Sequence, residues 1–258
     1  MSGMLVGMKR LSTKGFDLVN GARRLLFPSA CLFCQQPLNE GGMLSHVCCH
    51  ACFEKTAIWP RSVCSRCGSA LPEAMAPGPC GHCLTRPPAQ AATMSLYAYK
   101  GPVRDAILNW KLQGQDAGVR WLLDAAMPRI KELINADDLL LPVPMPLSRM
   151  RKSGVHHSAD LCRWLSAGVG CGWDWQLLRR VGEQPRQSAL SGVARRKNLR
   201  RAFALAADFR ASLADASTIW IVDDILTTGS TLNFAARAAK PLKRDVKVLS
   251  LARTLNRG

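Results

Sequence analysis

The chain has 258 residues, 48% of them hydrophobic, so it can bury a substantial core and is not a disordered or fibrous protein. Its 35 Lys and Arg against 18 Asp and Glu give a net charge of +17. That charge favours polyanionic partners such as nucleic acid, an acidic membrane surface or phosphorylated metabolites, unless it serves solubility alone. No run of about 18 consecutive apolar residues occurs, so no membrane span is expected.

The first segment, 1–30, is a basic lead in which charged residues such as Lys9, Arg10 and Asp17 interrupt the apolar positions. It lacks the unbroken apolar stretch of a signal peptide, and its pattern predicts a short amphipathic helix that ends before Pro28. Such a helix either packs on the protein or attaches to a membrane surface. We expect a cytoplasmic protein, because the cysteines that follow are arranged for metal ligation and not for disulfides.

The second segment, 31–88, is rich in Cys, Gly and Pro and holds nine of the eleven cysteines. Four C-x-x-C pairs occur in it, with fourteen residues between the first two pairs and twelve between the last two. Two such pairs supply the four thiolates of a tetrahedral zinc site, and a closed four-thiolate site is structural. The predicted ligands of two structural zinc ions are Cys31, Cys34, Cys49, Cys52, Cys64, Cys67, Cys80 and Cys83.

The alternatives for these cysteines are an iron–sulfur cluster or reactive dithiols. Zinc is preferred, because about fifty residues without a substantial apolar core need the folding energy that a structural metal supplies. Cys48 lies beside Cys49 and competes with it for the fourth ligand position, and we favour Cys49.

The third segment, 96–258, has the pattern of a compact α/β domain, in which helices and strands alternate. This alternation predicts a mostly parallel sheet, whose ligands bind at the carboxyl ends of the strands. The predicted elements are helices over 101–115 and 116–136, the latter broken at Pro128, a strand over 139–143, a helix over 157–170, a strand over 217–224, a helix over 230–243 and a strand over 245–254.

The stretch TIWIVDDILTTGSTL, 218–232, joins a buried strand to two acids and a turn rich in hydroxyls. A glycine and hydroxyls beside the amides of a helix N-terminus form a site for a phosphate monoester. The two carboxylates can accept hydrogen bonds from sugar hydroxyls or contact a cation. Together they predict a ribose 5-phosphate site, against an ordinary strand-to-helix turn as the alternative. The predicted phosphoribosyl-binding residues are Asp223, Asp224, Thr227, Thr228, Gly229, Ser230 and Thr231.

Positive charge is concentrated in 149–201, with twelve basic residues against three acids. This segment either closes over a pyrophosphate or grips the backbone of single-stranded DNA. If about five or six of its side chains contact phosphates, affinity should fall with salt with a logarithmic slope of about −4. The predicted pyrophosphate- or DNA-binding residues in it are Arg149, Arg151, Lys152, Arg195, Arg196 and Lys197.

The 218–232 stretch resembles the phosphoribosyl-pyrophosphate signature of type I phosphoribosyltransferases. With the ribbon segment before it, the chain from Leu26 to Leu255 resembles the ComF/GntX family of competence and DNA-utilisation proteins. The stretches LLFPSACLFC, LPVPMPLSRMRKSG, RQSALSGVARRKNLRRAF and the final ART carry this resemblance.

The resemblance implies a type I phosphoribosyltransferase-like α/β fold, with a mostly parallel sheet flanked by helices behind a double zinc ribbon. It also adds Lys111 to the residues for pyrophosphate or DNA backbone. In the family the first loop between strand and helix usually reads Arg-Gly-Phe-Asn-Gln. This chain departs from that pattern with Ser-Gly-Val-His-His at 153–157.

Three functions are compatible with these features. The first is a DNA-handling protein that binds single-stranded DNA and phosphoribosyl pyrophosphate or a nucleotide, with DNA-processing proteins as partners. The second is an active transferase, in which Asp223 and Asp224 hold the ribose diol and Mg²⁺ bridges the pyrophosphate. Purine-salvage members usually carry an acid where Thr227 stands, which disfavours a purine acceptor. The third is a structural or adaptor protein that keeps an old pocket.

Overall fold

A computed structural model describes nine stretches of the chain. They are residues 30–38, 43–45, 47–56, 58–60, 62–73, 75–76, 78–181, 202–207 and 216–255. The predicted helix before Pro28 and the predicted phosphate-binding residues Arg195, Arg196 and Lys197 lie outside them. The chain divides into two compact units, Met1–Lys55 and Thr56–Gly258. The predicted boundaries of the three sequence segments stay a prediction.

The first unit contains a short antiparallel pair of strands and one helix, which are β1 (Met43–Ser45), β2 (Cys48–Cys49) and α1 (His50–Lys55). Ahead of them, Cys31 to Gln36 form a tight turn, in which the Cys31 N–H donates to the Gln36 carbonyl at 2.9 Å. The turn holds the pair Cys31 and Cys34, and the junction of β2 with α1 holds the pair Cys49 and Cys52.

The second unit carries the large sheet and most of the helices. Its first elements are α2 (Gly81–Thr85), β3 (Ala92–Ala98), α3 (Gly101–Gln113), α4 (Ala117–Lys131), β4 (Leu139–Pro142), α5 (Leu147–Ser153) and α6 (His157–Val169). They are followed by β5 (Gly172–Trp173), β6 (Leu178–Arg180), β7 (Phe203–Leu205), β8 (Thr218–Leu226), α7 (Ser230–Ala239), a 3-10 turn (Lys240–Leu242) and β9 (Asp245–Arg253). Among the described residues, no helix has the length and apolar character needed to cross a membrane.

Five strands form one sheet in the order β3-β9-β8-β4-β5, and every neighbouring pair is parallel. The chain runs from β4 outward to β5 and then returns to β8 on the other side of β4. Open parallel sheets bind their ligands at such a reversal, beside the carboxyl ends of the two strands, here β4 and β8. A separate antiparallel pair, β6 with β7, stands outside this sheet.

The sheet is buried on both faces, which is the environment that a parallel sheet requires. One set of alternating side chains, including Ile219 and Ile221, packs with Phe234 and Ala235 of α7 in a single apolar cluster. The other set, including Leu140 and Trp220, is also buried. The predicted fold class is confirmed: a mostly parallel sheet flanked by helices, preceded in the chain by a cysteine-rich module.

Two sequence expectations for this unit need correction or addition. The predicted break at Pro128 is wrong, because α4 continues through it to Lys131. Pro128 lies in the last turn of the helix, so its missing N–H removes only one helical hydrogen bond. The edge strand β3 was not predicted from the sequence, although six of its residues pair in register with β9.

Candidate functional site

The carboxyl end of β8 turns directly into α7, and a polar pocket opens at that turn. Gly229 is the N-cap of α7 and has a φ of 74°, in the left-handed region that favours glycine. The Thr228 and Ser230 hydroxyls lie 3.1 Å apart beside the first amides of the helix. The pocket is lined by Asp223, Ile225, Leu226, Thr227, Gly229, Ser230, Thr231 and Leu232. The turn therefore places amides and hydroxyls where an anion can be bound.

Asp223 lies at the inner wall of this pocket and is held by two donors. Its Oδ1 accepts hydrogen bonds from the Ser158 hydroxyl at 3.1 Å and from the Asp224 N–H at 3.0 Å. Burial and the neighbouring charge of Asp224 raise the pKa of Asp223 to about 7, while the two donors and Lys111 oppose that rise. Near neutral pH this carboxyl group can therefore either accept or donate a hydrogen bond.

Asp224 forms an ion pair with Lys111, whose Nζ lies 2.6 Å from its Oδ2. Lys111 belongs to the last turn of α3, and both side chains are largely shielded from solvent. A shielded pair interacts more strongly than a surface pair. The structure thus brings Lys111 to the two acids, although the sequence alone placed it there only through the family resemblance.

The N-terminal turn of α6 contacts the first acid of the site, and sequence reasoning assigned no role to its residues. Ser158 holds Asp223, and His157 packs edge-on against Trp110 with ring centroids 4.5 Å apart. The charges of Asp224 and Lys111 act in opposite directions on the pKa of His157, which burial lowers overall. The signal that could have revealed these residues is position: α6 follows β4, the strand beside β8.

The loop that departs from the family pattern connects helix α5 to helix α6. Gly154 ends α5 in the left-handed region, with a φ of 67°. His156 then caps α6, because its Nδ1 accepts a hydrogen bond from the Ala159 N–H at 3.1 Å. An imidazole nitrogen here supplies the kind of acceptor that an N-cap position requires. The residues that depart from the family pattern therefore still provide an N-cap for α6.

Eight cysteines form two clusters, each with four sulfur atoms within 4.8 Å of one another. The first cluster is Cys31, Cys34, Cys49 and Cys52, and the second is Cys64, Cys67, Cys80 and Cys83. The Cys34 and Cys49 sulfurs are 3.8 Å apart, as are those of Cys67 and Cys80. Tetrahedral zinc with bonds of about 2.3 Å to sulfur separates its ligands by about 3.8 Å. Both clusters therefore fit a zinc ion.

Backbone N–H groups donate to one thiol of each cluster and favour its thiolate form, which is the form that binds a cation. Burial alone would raise the pKa of Cys31 and of Cys64, but N–H donors on the two knuckles outweigh it and lower each to about 6. The Cys80 N–H, for example, donates to the Cys64 sulfur at 3.1 Å. Burial and contact with the other thiols instead raise the pKa of Cys52 and of Cys83. A bound cation would relieve the repulsion that keeps these protons in place.

Comparison with known proteins identifies relatives of this chain. The double zinc ribbon domain matches residues 22–84. Over 242 residues the chain is 33% identical to the DNA utilization protein YhgH of Salmonella typhimurium, covering 90% of this chain and 100% of that protein. It is 28% identical to competence protein F of Haemophilus influenzae, covering 88% of this chain and 98% of that protein. The chain belongs to the ComF family.

Solved structures similar to this ComF-family chain include two phosphoribosyltransferases. Adenine phosphoribosyltransferase of Saccharomyces cerevisiae is 14% identical, with a TM-score of 0.32 and coverage of 55% of this chain and 72% of that one. A hypoxanthine phosphoribosyltransferase of Staphylococcus aureus is 12% identical, with a TM-score of 0.33 and coverage of 52% and 62%. The structural similarity to these two enzymes is low, so the chemistry of the site is argued from the contacts within this chain.

Three of the predicted basic residues in this ComF-family chain, Arg149, Arg151 and Lys152, are exposed on the short helix α5. They do not contact the Asp223 carboxylate or its neighbour in any hydrogen bond or ion pair among the described residues. Burial, and then the charge of Arg149, lower the pKa of Arg180 on β6. The positive charge of Arg149 on α5 therefore acts on Arg180 of β6.

Cys49, and not its neighbour, belongs to the first zinc cluster of this ComF-family protein. Cys48 is buried, and its thiol donates to the Cys49 carbonyl at 3.4 Å. Burial, and then the charges of Cys31 and Cys49, raise the pKa of Cys48 to about 12, so it stays a thiol. We expect Cys48→Ala to retain two zinc ions per chain and Cys49→Ala to retain about one, since a four-thiolate site needs every ligand.

Elemental analysis of both purified variants measures this difference, with wild type as the reference. Loss of zinc from the Cys48 variant and retention by the Cys49 variant would reverse the assignment. Well under two zinc ions per wild-type chain would contradict the double ribbon itself.

Proposed function

We propose that this protein handles DNA in the cytoplasm and that the pocket at the end of β8 binds the phosphorylated ribose of a nucleotide or of phosphoribosyl pyrophosphate. One observation carries the proposal. The turn of amides and hydroxyls around Gly229 directly follows the end of β8, the strand that carries Asp223 and Asp224. A turn that donates hydrogen bonds to a phosphate, beside two carboxylates that accept them from a diol, matches a ribose 5-phosphate. The relatives named for DNA utilisation and competence support the DNA part of the proposal.

Titration calorimetry with phosphoribosyl pyrophosphate tests the pocket, with ribose 5-phosphate and ribose as comparison ligands. We expect affinity to fall from the first ligand to the second and to vanish for ribose, because each step removes phosphate contacts. Asp224→Asn should weaken binding at least tenfold, since it replaces a charged diol acceptor by a neutral amide and releases Lys111 from its ion pair.

Asp245→Asn is the matched control for this titration. Asp245 is exposed at the start of β9, the opposite end of the sheet from the pocket. Its replacement should leave affinity unchanged. Equal binding of all three ligands, or equal weakening by both replacements, would overturn the proposed pocket.

Binding of single-stranded DNA rests on the exposed basic side chains of α5 and the excess of positive charge. Phosphate contacts release counterions, so affinity should fall steeply as salt rises. Arg149→Met combined with Arg151→Met should make the logarithmic salt slope about 1.5 units shallower, which corresponds to two lost contacts. Arg104→Met with Lys131→Met is the control pair, and a slope changed equally by both pairs would argue against α5 as the contact.

Transferase chemistry is the second candidate function, and the Lys111–Asp224 pair favours it. A pyrophosphate entering the site would find the Lys111 ammonium beside the pocket. A magnesium ion would bind mainly pyrophosphate oxygens, next to Asp223 and Asp224, whose carboxylates suit this hard cation. Release of pyrophosphate from phosphoribosyl pyrophosphate in the presence of a nucleobase would establish this activity. Binding without release would leave the pocket as a recognition site.

A further inference from the structure

Arg253 ends β9 with a charged side chain that is only 6% exposed. Its guanidinium donates from Nη1 to the Cys67 carbonyl and from Nη2 to the Ser69 hydroxyl at 2.7 Å. It also lies over the Trp59 ring, 5.5 Å from the centroid. The ion pairs of the described residues do not include it. A buried cation needs compensation, and no carboxylate supplies it in this part of the chain.

The second cysteine cluster supplies the missing negative charge. Four thiolates around a divalent zinc ion leave a net charge of two negative units on the site. Both hydrogen bonds of Arg253 go to the knuckle that begins at Cys64. One acceptor is the carbonyl of the ligand Cys67, and the other is the hydroxyl of Ser69, two residues further on. Charge, burial and hydrogen bonds thus all join Arg253 to this metal centre.

The same residue also stands beside the pocket turn. Arg253 is in register with Leu226, the last residue of β8, and the Thr254 N–H donates to the Leu226 carbonyl at 3.0 Å. Leu226 lines the pocket and directly precedes its hydroxyl-rich turn. The guanidinium therefore fixes a zinc knuckle to the strand end from which the pocket is built.

We propose that Arg253 is an outer-shell residue of the second zinc centre, balancing its negative charge and locking the Cys64–Cys67 knuckle to the end of β9. It is a positioning residue for the metal and does not contact the ion. Outer-shell hydrogen bonds fix the ligands of a metal and contribute about 10- to 100-fold to its affinity. This role is independent of what the neighbouring pocket binds.

The test is alkylation of the full-length, zinc-loaded protein with N-ethylmaleimide under mild chelation, with peptide mapping by mass spectrometry. Zinc-bound thiolates are protected, and the first cluster serves as an internal reference in the same chain. We expect Arg253→Met to speed alkylation of Cys64, Cys67, Cys80 and Cys83 at least tenfold, with the first cluster unchanged. Arg253→Lys should show a smaller effect, because lysine keeps the charge but not the two-pronged donor.

Arg244→Met is the matched control, since Arg244 is an exposed arginine just before β9. It should leave both clusters protected. Unchanged protection of the second cluster in both Arg253 variants would overturn the proposal. Equal deprotection of the two clusters by Arg253→Lys, the milder replacement, would also overturn it, because that result indicates general unfolding. If Arg253→Met does not fold, the lysine variant alone decides between these outcomes.

Discussion

Cys64→Ser is expected to destabilise the Thr56–Gly258 unit by more than about 3 kcal/mol, because a structural zinc site loses most of its binding free energy with one ligand. The second ribbon is fastened to the sheet at several points. The Trp59 N–H donates to the Leu96 carbonyl of β3 at 2.9 Å, and the Trp59 indole donates to the Gly68 carbonyl at 2.9 Å. Thr93 of β3 donates its hydroxyl to the Arg66 carbonyl at 2.8 Å. Loss of the metal should therefore loosen the sheet edge as well as the knuckle.

Urea denaturation followed by tryptophan fluorescence measures this effect in the zinc-loaded protein. Ser65→Ala is the control, because Ser65 is an exposed residue of the same knuckle that is not a ligand. We expect its unfolding midpoint to match that of wild type. A midpoint equally unchanged in Cys64→Ser would show that the sheet does not depend on the second zinc centre.

Asp223→Asn is expected to raise the free energy of unfolding by about 4 kcal/mol at pH 8, where wild type must keep a buried carboxylate charged. The folded chain holds the Asp223 proton up to about pH 7, whereas the unfolded chain releases it near 3.8. Wild type therefore loses stability as pH rises from about 4 to about 7, and the loss is constant above that range. The variant cannot titrate, so its advantage should be near zero at pH 4 and reach its maximum at about pH 7.

Chemical denaturation at pH 4, 6 and 8 measures this dependence. The asparagine oxygen can still accept from Ser158 and from the Asp224 N–H, so the variant should fold. The control is Asp245→Asn, an exposed replacement that should change stability little at any pH. An advantage of Asp223→Asn that does not grow with pH would mean that burial does not perturb this carboxyl group.

A gain in stability on replacing Asp223 would also bear on function. Groups that are costly to keep in the folded chain persist where they serve a ligand. The same variant should therefore bind phosphoribosyl pyrophosphate less tightly while being more stable. Weaker binding together with lower stability would instead indicate that Asp223 serves the fold.

Much of the architecture follows from local patterns in the sequence. The alternation of apolar strands and amphipathic helices predicted the parallel sheet, and the strand over 139–143 and that over 245–254 were placed to within one residue. The edge strand β3 was missed because its residues follow a stretch of Pro and Gly and alternate weakly. Pairing with β9, a contact with residues about 150 positions away, makes it a strand.

The candidate site shows the same limit. The acids and hydroxyls of 218–232 are contiguous in sequence, so their proximity could be predicted. Lys111 and Ser158 come from helices that precede β8 by many residues, and only the sheet order brings them to Asp223 and Asp224. The role of Arg253 is likewise invisible in the sequence, because it depends on the second ribbon lying against the end of β9.

Paired glycine variants test most directly whether the turn after β8 binds a phosphate of a phosphoribosyl compound. Gly229 and Gly170 both have positive φ, 74° and 88°, and an added Cβ meets no atom closer than 3.7 Å at either position. Replacement by alanine should thus cost a similar backbone strain of about 1–2 kcal/mol at each. Only Gly229 lies at the pocket.

Titration of phosphoribosyl pyrophosphate into wild type, Gly229→Ala and Gly170→Ala is therefore the decisive measurement. We predict saturable binding of one ligand per chain to wild type and to Gly170→Ala, and at least tenfold weaker binding to Gly229→Ala. Binding that is the same in all three proteins, or absent from wild type at millimolar ligand, would contradict the assignment of this turn as a phosphate site.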